Sequence, residues 1–280
     1  IRQVYPRLGI VPGLILAPGW SQIPEVGLAL AAKAAKINGV YSAMALLDLD
    51  TAKAKKYTDT KSVKEESGYT SPFCYPLWPC DRVGEYILAK SAVAGAMIQY
   101  MASDNEDVPN QSPSNHLLGV GGQCLEDGTE VYLDQDQANT VNGYGVTTAI
   151  NQNGYRLWGN YTGAYPASSD AKDIWFAVRR MFSWQGNNFI QTYFDEVDDP
   201  MNNVLVQSVV DSENIRCSAY APKYWAGASI EYKSDDNPKT AILAGTMKFR
   251  QHIAPYTPAQ EIVDIIDYDT DTLAAAVGGN

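Results

Sequence analysis

Cations are scarce in this sequence. Its 280 residues carry 21 Lys and Arg against 32 Asp and Glu, a formal net charge of −11. Binding to a phosphate backbone requires clustered cations. The one basic cluster, Lys53-Ala54-Lys55-Lys56, sits in a polar stretch and reads as a solvated face, so nucleic acid is not an expected partner. Long apolar runs are also missing. None reaches the ~18 residues of a membrane-spanning helix, so no direct membrane insertion is expected. Histidine occurs twice, at His116 and His252, and Cys74, Cys80, Cys124 and Cys217 form no Cys-x-x-Cys. A zinc site needs such clusters, so no metal is expected. The scattered cysteines read as reduced, buried thiols of a cytoplasmic product rather than a disulfide framework. Gly119-Val120-Gly121-Gly122 lacks the Gly-Lys-Ser/Thr ending of a phosphate loop. No internal repeat, low-complexity segment or signal peptide is visible. The chain opens at Ile1 without a methionine, and we expect its N-terminal part to be missing.

What is present suffices for a sizeable core. Apolar residues make up 45%, with 18 Tyr, 6 Trp and 6 Phe, in one large domain or two modest ones. Residues 12–17 form an apolar run ended by Pro18-Gly19, which suits a buried strand. Pro24 opens a helix, with Val26, Leu30, Ala34 and Ile37 on one face and Asn38-Gly39 as its stop. Residues 42–49 are a second apolar strand, and the order predicts a parallel βαβ unit with a right-handed crossover. Residues 51–66 are a surface helix or an excursion. The prolines in 71–79 argue for an extended edge or a loop. Residues 87–101 read as a helix whose small side chains allow close approach to a sheet, followed by a polar loop over 105–114. A short strand over 129–133, a helix over 134–142 capped by Asp134 and stopped by Gly143, and a strand over 145–150 follow.

Beyond a polar linker at 168–171, with Asp170 as cap, Ile174, Ala177, Val178, Met181 and Phe182 share a helical face. Phe189, Ile190, Tyr193, Phe194 and Val197 continue it, as one long helix or two broken at Gly186. Pro200 opens another helix to about Tyr220, with Leu205, Val209 and Ile215 inward. Residues 227–233 and 241–253 read as strands around the turn Asp235-Asp236-Asn237-Pro238. Residues 261–268 read as a last apolar-acidic strand, and the tail beyond Leu273 as frayed.

The chain is organised around residues 151–162, Asn-Gln-Asn-Gly-Tyr-Arg-Leu-Trp-Gly-Asn-Tyr-Thr. Asn153-Gly154 between alternating apolar residues signals a hairpin, because both central positions take positive φ. The second strand carries Tyr155, Leu157 and Trp158, with Trp158 expected as a core anchor. Gly159-Asn160 then turns the backbone. On composition alone this is a well-packed hairpin.

The string Gly-Tyr-Arg-Leu-Trp-Gly-Asn-x-Thr, with Arg156, Trp158, Gly159, Asn160 and Thr162, resembles the signature of the tail sheath proteins of contractile phage tails and R-type pyocins. Ser112-Pro113-Ser114-Asn115 resembles the Ser-Pro-Ser-Asn of that family. Leu14-Ile15-Leu16-Ala17-Pro18-Gly19 is similar to the strand opening its conserved domain. The three stand in the family's order. The resemblance implies α/β followed by α+β: a subtilisin-like sheath domain without an active site at 1–165, then a sheath C-terminal domain at 166–280 ending in an exchanging arm, 259–280. It also implies arms that add strands to neighbouring subunits. Glu261, Ile262, Val263, Asp264, Ile265, Ile266, Asp267 and Tyr268 match the C-terminal arm in position and strand character. The implied partners are other copies in a helical lattice, the inner tail tube protein, the baseplate and the tail terminator, with no cofactor. The implied place is the virion tail sheath, assembled in the host cytoplasm and contracting to drive the tube through the host envelope.

A subtilisin-like topology prompts a search for a catalytic triad. Asp48, His116 and the serines Ser112 and Ser114 lack a nucleophile turn after the histidine, and His252 sits on the polar side of a strand. Neither histidine is expected to be catalytic, and Cys124 beside Gly121-Gly122-Gln123 reads as a buried thiol. The acids Asp195, Glu196, Asp198 and Asp199, with abundant aromatics, leave a glycoside hydrolase or a carbohydrate-binding protein as the rival. Acids before Pro200 also suit the start of the next helix, and the expectation is a structural protein, not an enzyme.

Overall fold

A computed structural model describes residues 1–278. A short helix, α1 (Val4–Leu8), precedes strand β1 (Leu14–Leu16), helix α2 (Pro24–Ala35) and strand β2 (Met44–Asp48). β1 and β2 pair in parallel, with Ile15 opposite Ala45, as the strand–helix–strand pattern predicts. Pro24 occupies the first turn of α2, where its missing N–H goes unused. The helix ends before Asn38-Gly39, because Ile37 and Tyr41 form an antiparallel bridge there. Gly27, Ala31 and Ala34 are its buried face. Gly27 is required, since a Cβ would stand 2.1 Å from the Tyr69 hydroxyl. All five residues of β2 are buried, as expected of a parallel strand covered on both faces.

Helix α3 (Thr60–Ser67) leads to β3 (Cys74–Leu77), which pairs in parallel with β2 in a sheet of order β1-β2-β3. The proline-rich stretch is thus an edge strand, although a fully buried one. Its register explains Pro76. Ala45 and Leu49 donate to the carbonyls of Phe73 and Leu77, whereas Pro76 turns the other way and accepts only from Thr147, at 2.9 Å. The N–H that proline lacks therefore lies off the β2 ladder.

β4 (Cys80–Val83), β5 (Tyr86–Leu88) and β6 (Gly122–Cys124) make a small antiparallel sheet of order β5-β4-β6. Between β5 and β6, α4 (Lys90–Ser103) lies so close to the main sheet that a Cβ on Gly95 would touch Leu16 and Leu46, at 3.4 and 3.6 Å. Residues 129–133 are not a strand; Glu130 makes only an isolated bridge to Cys124. α5 (Gln135–Gly143) begins with Asp134 and Gln137 capping each other reciprocally. β7 (Thr148–Asn151) and β8 (Tyr155–Trp158) form the expected hairpin, with φ of 53° at Asn153 and 107° at Gly154. Trp158 is not the anchor. Strand alternation buries Tyr155 and Leu157 and leaves Trp158 half-buried on the opposite face, its indole donating to Asn139 at 2.9 Å.

One face of the sheet packs with α2 and α3 through Ala34, Ala45, Leu47, Val63 and Tyr69. The other packs with α4, and with Phe176 at the start of a later helix, through Met44, Leu46, Tyr75, Ile98 and Leu157. α6 (Ala171–Ile174), capped by Asp170, is followed by α7 (Phe176–Thr192), which runs unbroken through Gly186. Beyond Met181 its buried residues are polar: Ser183, Gln185 and Asn187. Asn187 pairs with both backbone groups of Ser42, at 2.7 and 2.9 Å.

α8 (Asn203–Ala219) is capped by Asn202, and neither Pro200 nor the acids before it serve as cap. It buries Val209, Glu213 and Cys217, while Ile215 is 73% exposed, contrary to expectation. β9 (Trp225–Glu231) is followed by helix α9 (Lys239–Leu243) and β10 (Arg250–Pro255), which pairs antiparallel with β9. The strand expected over 241–253 therefore begins late. Pro238 starts a helical turn that Gly245, at φ 73°, ends.

Residues 261–268 carry no strand, and all eight are exposed. A strand is defined by its ladder, and no edge among the described residues pairs with the segment. α10 (Thr270–Ala276), capped by Asp269, replaces the expected frayed tail. Of the arm 259–280, residues 279 and 280 lie outside the described residues. No helix among the described residues is long and apolar enough to cross a membrane.

Candidate assembly site

Two distant stretches of the sequence meet on β8. Asn115 N–H donates to the Leu157 carbonyl (2.6 Å), Leu157 N–H to the His116 carbonyl (3.0 Å), and Leu118 N–H to Tyr155 (2.9 Å), so residues 115–118 run alongside β8. Arg156 reaches across to the Asn115 carbonyl at 2.8 Å. Ser114 Oγ accepts from Gly159 N–H at 3.1 Å, and Ser112 Oγ bonds to the Asn160 side chain. Pro113 is buried between the two serines. Gly159 takes φ 153°, and a Cβ there would lie 2.5 Å from Thr147 Oγ1. The carbonyl of Asn160 receives Phe176 N–H at 2.8 Å, and Thr162 N–H donates to Ile174 at 2.8 Å. The hairpin, the 112–118 loop and the start of α7 are thus one hydrogen-bonded block.

Sequence reasoning missed Tyr161, the unspecified position of that string. Its ring stacks on Tyr165 at 3.8 Å and on Trp175 at 4.9 Å. Its hydroxyl donates to Gln260 Oε1 at 2.6 Å. Gln260 immediately precedes the exposed segment 261–268. The only signal in the sequence was the aromatic itself, placed between Asn160 and Thr162.

The structure does not bring the triad candidates together. Asp48 is buried at the end of β2, where its carboxylate accepts from Ser91 N–H (2.8 Å), Ser91 Oγ (2.5 Å) and Ser21 Oγ (2.9 Å). Burial raises its pKa, and the Ser91 and Ser21 donors pull it back. His116 sits on an exposed loop, its pKa lowered by desolvation and then by Arg156. His252 pairs with Glu231 at 2.9 Å on the exposed face of β10. Asp195, Glu196, Asp198 and Asp199 are exposed around a single turn, and none lines a cavity described below. Among the described residues no cluster of His, Cys, Asp or Glu could hold a metal.

Two hollows adjoin α7. A small one lies between Ile98, Val108, Pro113 and Arg180. An open trough of about 710 Å³ follows β1, walled by Leu14, Leu16, Gly95, Arg180, Trp184 and Asn188. Burial lowers the Arg180 pKa to about 10.

No family model matches the chain. The major tail sheath protein of Serratia phage KSP20 is 27% identical over 197 residues, 67% of this chain and 48% of that protein. The tail sheath protein of Escherichia phage P2 is 24% identical over 273 residues, 94% of this chain and 63% of that protein. The chain is thus similar in sequence to tail sheath proteins. It spans less than two thirds of either sheath protein. The PVC sheath complex of an extracellular contractile injection system, in its contracted state, superposes with a TM-score of 0.76 at 17% identity, over 97% of this chain and 75% of that one. The fold is therefore the sheath fold.

Proposed function

We propose that the chain is the structural, non-catalytic subunit of a contractile tail sheath, assembling with copies of itself as a helical tube around an inner tail tube. Heterologous contacts that do not close generate such a tube. In this reading residues 1–165 are a subtilisin-like domain without an active site, and 166–280 a sheath C-terminal domain with its arm at 259–280. Baseplate, inner tube and terminator are its further partners, and assembly takes place in the host cytoplasm.

The observation that carries the reading is sheath-like folding over nearly the whole chain. The exposed segment 261–268 supports it, with Ile262 at 89% and Ile266 at 87% exposure. Apolar surface of this kind calls for a partner, and an extended segment is suited to joining the edge of a neighbour's sheet. Backbone pairing of that sort can persist while rigid subunits slide and rotate. Negative-stain images of the full-length protein test the proposal. Striated tubes are the expected result, and uniformly monomeric particles would overturn it.

A further inference from the structure

Cys80 on β4 and Cys124 on β6 stand directly opposite each other in the antiparallel register, and both are free thiols. Opposed residues project from the same face of a sheet with Cβ atoms ~4.5–5.5 Å apart. A disulfide requires ~3.5–4.5 Å, so closure asks for an approach of about 1 Å. The small sheet can supply it, since β5 on its outer side is exposed throughout. Cys124 is fully buried, whereas Cys80 is partly exposed. Cys74 lies in the sheet core and Cys217 on α8, and neither faces a cysteine across a strand pair.

We propose that Cys80 and Cys124 are a redox-responsive pair, a dithiol in a reducing cell and a cross-strand disulfide in an oxidising medium. The reaction is exchange with a small-molecule disulfide such as oxidised glutathione. The partly exposed Cys80 gives up its proton and its thiolate attacks one glutathione sulfur. The glutathione S–S bond breaks, and one glutathione leaves as thiolate and takes up a proton. Cys124, deprotonated in turn, attacks the Cys80 sulfur and expels the second glutathione. The protein is oxidised by two electrons and one glutathione disulfide becomes two thiols. Burial, with Asp48 nearby, pushes the Cys80 pKa up to about 12. Thiolate is then scarce near neutrality and the first step is slow, so the pair stays open while the chain folds.

The bond would tie β4 to β6 and enclose β5, α4 and the loop bearing Ser112 and Ser114. This chemistry does not depend on the sheath reading, and it is tested on the soluble chain. The native, unsubstituted protein is incubated with oxidised glutathione, its remaining thiols are alkylated, and its peptides are mapped by mass spectrometry. The expected result is a loss of about 2 Da for the two hydrogens removed, one cross-linked peptide joining Cys80 to Cys124, alkylated Cys74 and Cys217, and reversal by dithiothreitol. Cys124→Ser should stop at a glutathione adduct on Cys80. Four alkylated thiols in the native protein, under conditions that oxidise the urea-unfolded chain, would overturn the proposal. So would a cross-link between any other pair.

Discussion

Tyr161 donates a 2.6 Å hydrogen bond to Gln260, joining the loop after β8 to the residue from which the exposed segment departs. The segment therefore leaves the body from a fixed point beside the stacked rings of Tyr165 and Trp175.

Truncation after Pro258 should remove assembly and leave the fold. Residues 261–268 are exposed, so what is lost from the body is chiefly the Tyr161–Gln260 bond, worth about 1 kcal/mol. Thermal melting should barely move, while sedimentation of the full-length protein carrying the same truncation shows no tubes. Tubes from the truncated protein would refute the arm assignment.

Lys90 and Asp81 form an ion pair in which both side chains are wholly inaccessible. Lys90→Met should destabilise by about 3–5 kcal/mol, because it strands a buried carboxylate. The double change Lys90→Met with Asp81→Leu should recover most of that loss. Urea denaturation of the three proteins measures both steps.

Lys64 is 4% exposed and donates to the carbonyls of Tyr144 and Tyr165. Desolvation lowers its pKa to about 8, against about 10.4 for an unfolded lysine. Between those values the unfolded chain binds more protons, so this group's contribution to stability rises with pH. From about pH 7 to about pH 9 the gain is roughly 1 kcal/mol. Lys64→Met should lose that increment relative to the unsubstituted chain, read from denaturation midpoints at the two pH values. Equal slopes in the two proteins would contradict it.

Two glycines should respond with opposite signs. At Gly159 a Cβ would meet Thr147 Oγ1 at 2.5 Å and Asn142 Oδ1 at 2.9 Å, so Gly159→Ala should cost about 1–3 kcal/mol. At Gly186, inside α7, a Cβ would meet nothing within 4 Å. Gly186→Ala should stabilise by roughly 0.5–1 kcal/mol. Denaturant midpoints decide both.

The parallel β1–α2–β2 unit was legible because its apolar runs, Pro24 and its turn residues agree. The same holds for the Asp134 cap and the Asn153-Gly154 turn. What could not be read was which face of an element meets a polar interior. Gln185 and Glu213 look like surface residues in sequence, yet they bond to each other at 2.6 Å in a buried site with Arg216 against Glu213. That site set the inward face of α8 and turned Ile215 outward. Trp158 was misplaced because size was weighed above alternation. Residues 261–268 have the composition of a strand, but a strand also needs an edge to pair with. The sheath strings were readable as words, whereas the meeting of Ser114 with Gly159, and of Tyr161 with Gln260, depends on backbone paths that local patterns do not encode.

Glu261, Asp264 and Asp267 thread three negative charges through a stretch otherwise built of Ile, Val and Tyr. Uncharged, such a run would stack on its own copies as an amyloid-like zipper. With the charges in place, two of these stretches repel each other whenever they approach in register, over a range of about 10 Å at 0.1 M salt. Dilute, low-salt solution should therefore store free chains without clumping, and acid or concentrated salt should remove that protection.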